Sequence, residues 1–96
     1  MISMESFPIP ADSVVARIIN GEAVIVLPDN GQVKVINEVG ARIWELIDGK
    51  LTIRQISEVI YDEYEIDQEQ AGRHTLEFIC SLEESGIVAN SSTPIL

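Results

Sequence analysis

The sequence predicts an α+β domain: a three-stranded antiparallel β-meander followed by three α-helices. Three observations carry this. Short β-branched runs fill residues 13–36 and are separated by Asn-Gly and Asp-Asn-Gly turns. After Asn37 the apolar spacing changes from runs and alternation to a helical period. Caps and glycines then divide the second half into three helical segments.

The first dozen residues hold Pro8, Pro10 and Asp12 and read as an irregular lead-in. Val14, Val15, Ala16, Arg17, Ile18 and Ile19 read as a first strand, because β-branched side chains suit a pleated surface. Asn20-Gly21 is a two-residue hairpin signal, since both central positions of a type I′ turn need positive φ. Ala23–Leu27 is a second strand, stopped by Pro28, and Asp29-Asn30-Gly31 is the next turn. Gln32–Ile36 is the third. Consecutive strands joined by tight turns pair in order, so the first and third strands are the edges.

Asn37 is placed to cap a first helix, with Glu38 at the positive end of its dipole. Val39, Ile43, Trp44 and Ile47 form its apolar stripe, and Gly49 is expected at the C′ position. Thr52 caps a second helix with Ile53, Ile56, Val59, Ile60 and Tyr64 on its apolar side. Asp67 caps a third, running from about Gln68 to Ser85 and stopped by Gly86. Ala71, Thr75, Phe78, Ile79 and Leu82 face its core, while Ile87 and Val88 return toward the sheet. The expected organisation is a lead-in over 1–12, a domain over 13–89 and a frayed tail over 90–96.

Composition excludes several functions. Six Lys and Arg against sixteen Asp and Glu leave a formal charge of −10. Such a surface repels phosphate backbones and anionic membranes. The 46% hydrophobic content and slightly positive mean hydropathy exclude a disordered acidic tail. No apolar run is long enough to span a bilayer, and the N-terminus lacks the pattern of a signal peptide. A lone cysteine, Cys80, cannot form an internal disulfide and fits a reducing cytosol, so a cytoplasmic location is expected.

No active site assembles from the sequence. Cys80 and His74, the one imidazole, lie six positions apart, about 240° around a helix, and cannot form a dyad. One histidine does not make a zinc site. The acidic run Asp62, Glu63, Glu65, Asp67, Glu69 lacks the central glycine of a calcium loop, with Ile66 and Asp67 where the turn would fall. The six glycines form no phosphate-binding cluster. The expectation is a protein without catalysis, metal or cofactor.

Two features point to binding. The third strand, with Lys34 among Val33, Val35 and Ile36, is a weakly guarded edge that can accept a strand from another peptide. The third helix carries apolar surface beyond a simple core stripe: Gly72, Leu76 and Cys80 widen it, bordered by Arg73 and Glu77. The opposite edge of that helix, with His74, Phe78 and Ser81, is the alternative wall of a groove.

The string Asn37-x-x-Gly40-x-x-Ile43-Trp44-x-Leu46-x-Asp48-Gly49 resembles the signature of the PqqD-like family. Thr52-x-x-x-Ile56, Tyr64-x-Ile66 and Phe78-Ile79-x-x-Leu82-x-x-x-Gly86-Ile87 are similar to its later landmarks. Thr75 departs mildly from the acidic or polar position before the family's apolar pair. The resemblance covers about residues 12–89. It implies a small winged-helix-like protein that recognises the leader of a ribosomally made precursor peptide. The leader would add as a strand between the third strand and third helix. It would then be presented to a radical SAM enzyme or a leader peptidase. Gly40, Trp44 and Gly49 are read as packing and helix-ending residues.

The binding residues expected on this basis are the backbone of Val33, Lys34, Val35 and Ile36, with Gly72, Arg73, Leu76, Glu77 and Cys80 on the helix. Apolar members would pocket leader side chains, and Arg73 and Glu77 would set polar register. Two rival readings are a homodimer or accessory subunit with a self-paired edge strand, and a winged-helix transcription regulator. The acidic third helix argues against the latter.

Overall fold

The computed structural model describes residues 2–27 and 31–94. In chain order the elements are β1 (Phe7–Pro10), β2 (Val15–Ile19), β3 (Glu22–Leu27), β4 (Gln32–Ile36), α1 (Glu38–Leu46), α2 (Ile53–Glu63), α3 (Gln68–Glu84) and β5 (Val88–Ser91). The meander is present, with strand order β2-β3-β4 and both pairings antiparallel. Asn20 and Gly21 have φ of +53° and +81°, as a type I′ turn requires. Asp29 and Asn30 of the expected second turn lie outside the described residues, while Gly31 N–H donates to Leu27 O at 3.0 Å.

Period-2 alternation sorts the sheet into two faces. Ala23, Ile25 and Leu27 of β3 point into the core, and Val24 and Val26 point outward. In register with them, Val15 of β2 and Val33 and Val35 of β4 make the outer face apolar and exposed. The helices cover the inner face, where Ile43, Ile47, Ile53, Ile56, Ile60, Ile79, Leu82 and Ile87 close the core. Burial of these side chains from water is the main force holding sheet to helices.

Each helix starts on the cap its sequence supplies. Asn37 Oδ1 accepts from Gly40 N, Asp67 Oδ1 from Gln70 N, and Thr52 forms a reciprocal capping box with Gln55. The first helix ends earlier than the glycine signal implies. Ile47 is its C-cap, and Gly49 sits two residues beyond in a turn at φ +81°. Asp48 Oδ1 holds that turn by accepting from Lys50 N and Leu51 N.

The two ends of the chain depart from the expected lead-in and frayed tail. They pair as an antiparallel ribbon, β1 with β5, in the register Phe7↔Ser91 to Pro10↔Val88. Two prolines do not prevent this, because a two-stranded ribbon leaves alternate backbone groups free of ladder bonds. The other side of this segment is tied down by Gly49 N to Pro8 O, Ile53 N to Ser6 O and Arg54 N to Met4 O. Arg54 and Glu5 add an exposed ion pair at 2.6 Å.

Candidate functional site

β4 is an edge strand with β3 on one side only. Val33 and Val35, on its outer face, are 60% and 67% exposed, and among the described residues no strand pairs with its other edge. At its C-terminal end the chain turns directly through Asn37 into α1. Gly40 brings α1 close to both β4 and α3: a Cβ there would overlap Ile36 Cγ2 and lie 3.3 Å from the Phe78 ring. The glycine is required here for space, since its φ is not positive.

Beside this contact lies a cleft of about 480 Å³, lined by Asn37, Val39, Gly40, Ile43, Tyr64, Glu65, Ile66, His74 and Phe78. α1 supplies one wall, the α2–α3 connection a second and α3 the third. The lining is mostly apolar, with Asn37, Glu65, His74 and the Tyr64 hydroxyl as its polar groups. Asn37 is committed to its cap, so its Oδ1 is already engaged. Partial burial pushes the Tyr64 hydroxyl above its ordinary pKa, with Glu38 and Glu63 adding to the effect.

The structure separates the two edges of α3. Phe78 and His74 reach the cleft, as the alternative edge; Ser81 of that edge does not, and its Oγ donates to Phe78 O at 2.7 Å. Gly72, Arg73, Leu76, Glu77 and Cys80 are not among the lining residues. The N-terminal segment and β5 lie on their side of the helix. Gly72 lies against the N-terminal segment, where an added Cβ would sit 3.6 Å from Met4 Cε, and Glu83 accepts from Asn90 of β5 at 2.8 Å. On a helical wheel these mark one flank, on which Leu76 and Cys80 also fall. Leu76 packs on the core, and Arg73 and Glu77 pair with each other at 3.9 Å on the surface. Of the widened flank, Gly72 thus lies beside Met4, Leu76 packs on the core and Cys80 is half-buried.

Cys80 is half-buried. Burial pushes its thiol pKa up, and Glu83, Glu84 and Glu77 push it in the same direction. That is the reverse of an activated nucleophile. Among the described residues no group of histidine, cysteine and carboxylate side chains could hold a metal ion. No described helix is long and apolar enough to cross a membrane.

Sequence reasoning missed seven of the nine lining residues: Asn37, Val39, Gly40, Ile43, Tyr64, Glu65 and Ile66 read from the sequence as a cap, packing residues, core stripe or an acidic helix boundary. No local signal marks them, because the cleft exists only where three separate elements meet.

The comparisons with known proteins agree on one class. Two solved structures match over most of the chain. One is described as "TbiB1 in Complex with the TbiA(beta) Leader Peptide", with 26% identity, a TM-score of 0.77, and coverage of 83% of this chain and 93% of that one. The other is described as "Lasso peptide synthetase B1 complexed with the leader peptide". Its TM-score is 0.78 at 17% identity, covering 86% of this chain and 98% of that one, a likeness of fold. No curated protein matches the sequence significantly. The family profile "Coenzyme PQQ synthesis protein D (PqqD)" matches residues 22–88, from β3 to the start of β5. With the meander, the three helices and the Asn37–Gly40 turn all in place, the chain belongs to the PqqD family.

Proposed function

We propose that this protein is a non-catalytic peptide chaperone that captures the leader of a ribosomally synthesised precursor and presents it to a modifying enzyme. The observation that carries the reading is an open strand edge, β4, running into an apolar cleft walled by α3. An added strand would form ladder hydrogen bonds with the backbone of Val33, Lys34, Val35 and Ile36. Its inward side chains would enter the cleft between Ile43, Ile66, His74 and Phe78. Ladder bonds supply sequence-independent affinity and the cleft supplies selection. Both solved relatives are complexes with leader peptides, which supports the same class of ligand here. Ordering a flexible peptide offsets part of the contact energy, so affinity is expected near the micromolar range or better. The modifying enzyme is a radical SAM enzyme or a leader peptidase, the two partners the family resemblance implies.

An amide NMR titration tests this. The probes are the leader of a precursor encoded beside this chain and the TbiA(beta) leader. Shifts grouped at residues 32–36, Val39–Ile43, Ile66 and His74–Phe78 are the expected result. Saturating native leader with no shift in that set overturns strand addition. A scrambled leader giving equal shifts reduces the edge to non-specific adhesion. Sedimentation over a range of concentrations covers the competing case, a homodimer in which β4 pairs with its own copy.

A further inference from the structure

The Tyr64–Ile66 connection forms one wall of the cleft, and although Tyr64 and Ile66 pack on the core, its own hydrogen bonds are local. Tyr64 N donates to Ile60 O at 3.0 Å, Ile66 N to Tyr64 O at 2.9 Å, and Asp67 caps the helix that follows. None of these bonds fixes the wall relative to α1, which forms the opposite side. Immediately before the wall stands Glu63, the last residue of α2. Arg42 of α1 reaches it with a two-pronged contact: Nε donates to Oε1 and Nη2 to Oε2, both at 2.8 Å. Among the described residues this fork supplies the side-chain hydrogen bonds that tie the end of α2 to α1.

Arg42 itself does not line the cleft, but Val39, Gly40 and Ile43 around it on α1 do. Glu63 likewise stands outside, directly ahead of Tyr64, Glu65 and Ile66. The fork therefore joins the two walls from behind. A planar guanidinium meeting a carboxylate through two parallel bonds fixes distance and orientation together, which a lysine point charge does not. We infer that Arg42 and Glu63 are positioning residues that hold the Tyr64–Ile66 wall against α1 and so set the width of the peptide cleft.

This rests on the peptide-binding reading for its functional consequence, but not for its structural one. A general surface ion pair would do neither. Both side chains are more than a third exposed, so the pair contributes little to global stability. Its effect is local, on the placement of one short connection. Glu45, 3.9 Å from Arg42 Nη1, is a second acid that the guanidinium can turn to when Glu63 is removed, and it would draw Arg42 away from the wall.

The test uses Arg42→Lys, Arg42→Gln, Glu63→Gln and the reversal Arg42→Glu/Glu63→Arg. Two readouts are taken. The first needs no peptide: amide hydrogen exchange at Tyr64 and Ile66, compared with the core amides of Ile60 and Leu82. The second is affinity for the native leader. Expected are faster exchange confined to Tyr64 and Ile66 and about threefold to tenfold weaker leader binding in the single variants. Arg42→Lys should fall between wild type and Arg42→Gln, and the reversal should recover most of both losses. Exchange at Tyr64 and Ile66 equal to wild type in Glu63→Gln and Arg42→Gln overturns the inference. So does faster exchange spread equally over Ile60 and Leu82, since that is global destabilisation. Altered exchange in a protein whose wild type binds no leader leaves the clamp standing and overturns the peptide-binding reading instead.

Discussion

Thr75 is fully buried on α3, and its Oγ1 has no hydrogen-bond partner among the described residues. A buried hydroxyl left unpaired carries its desolvation cost uncompensated. Thr75→Val keeps the shape and removes that cost, so it should raise stability by about 1 kcal/mol in urea denaturation. Gly40→Ala works in the other direction. Its Cβ meets Ile36, a β-branched side chain with little rotamer freedom, and the Phe78 ring. Overpacking of about 1–3 kcal/mol should outweigh the helix propensity gained, and displacing Ile36 and Phe78 should weaken leader binding as well. Cys80 offers a third check. With its thiol pKa pushed up, it should react with a disulfide reagent at pH 8 more slowly than a free cysteine peptide, and at the peptide's rate in denaturant.

At the scale of elements, the caps and the interhelical fork do different work. Asp67 ends the cleft wall and begins α3, accepting from Gln70 N at 2.7 Å. Asp67→Ala should cost about 1 kcal/mol, read from the denaturation midpoint. The fork adds a pH signature. Arg42 holds the Glu63 carboxyl below its ordinary range, chiefly through the hydrogen bond. A carboxylate lowered on folding contributes stability that is present above its unfolded pKa. That contribution is lost as pH falls through the lowered folded value. The local protection of the Tyr64 and Ile66 amides in hydrogen exchange, corrected for intrinsic rates, should therefore differ between wild type and Glu63→Gln at neutral pH and converge under acid conditions. A difference that persists unchanged into acid would mean that ionisation of Glu63 is not its source.

Across the whole molecule, charge and apolar surface are segregated. Twelve of the sixteen acids lie in residues 38–84, the helical half and its connections. The outer sheet face is instead valine-rich, with Arg17 among its residues. The field around the cleft is accordingly negative, with Glu65 on its lining. A leader bearing Lys or Arg should associate faster at low ionic strength, and its association rate should fall as salt is added while dissociation changes little. The pairing of β1 with β5 is the other property of this scale. It brings both ends of the chain to one side of α3 and leaves the opposite side for the cleft.

Local chemistry was enough for the meander, the three helices and their caps. Asn20-Gly21, Asn37, Thr52, Asp67 and Gly86 each act through bonds or dihedrals within a few residues, so their meaning is readable in order. The exposed β4 edge was legible for the same reason, from Val33–Ile36 and the turn before it. The side of α3 that forms a groove was not. Helical spacing offers two edges, the widened one at Gly72-Leu76-Cys80 and the opposite one at His74-Phe78-Ser81, but spacing cannot say which of them another part of the chain covers. The segment holding Met4 and strand β5, far apart in sequence, lie against one flank, and the cleft opens on the other. The ribbon itself was hidden because a strand of four residues containing two prolines has no local pattern and gains its stability from its partner strand and from the turn at Gly49. Sequence thus determined the meander, the three helices and their caps, because those choices are local. Tertiary structure decided which face remains free to bind, because that depends on what the distant ends of the chain cover.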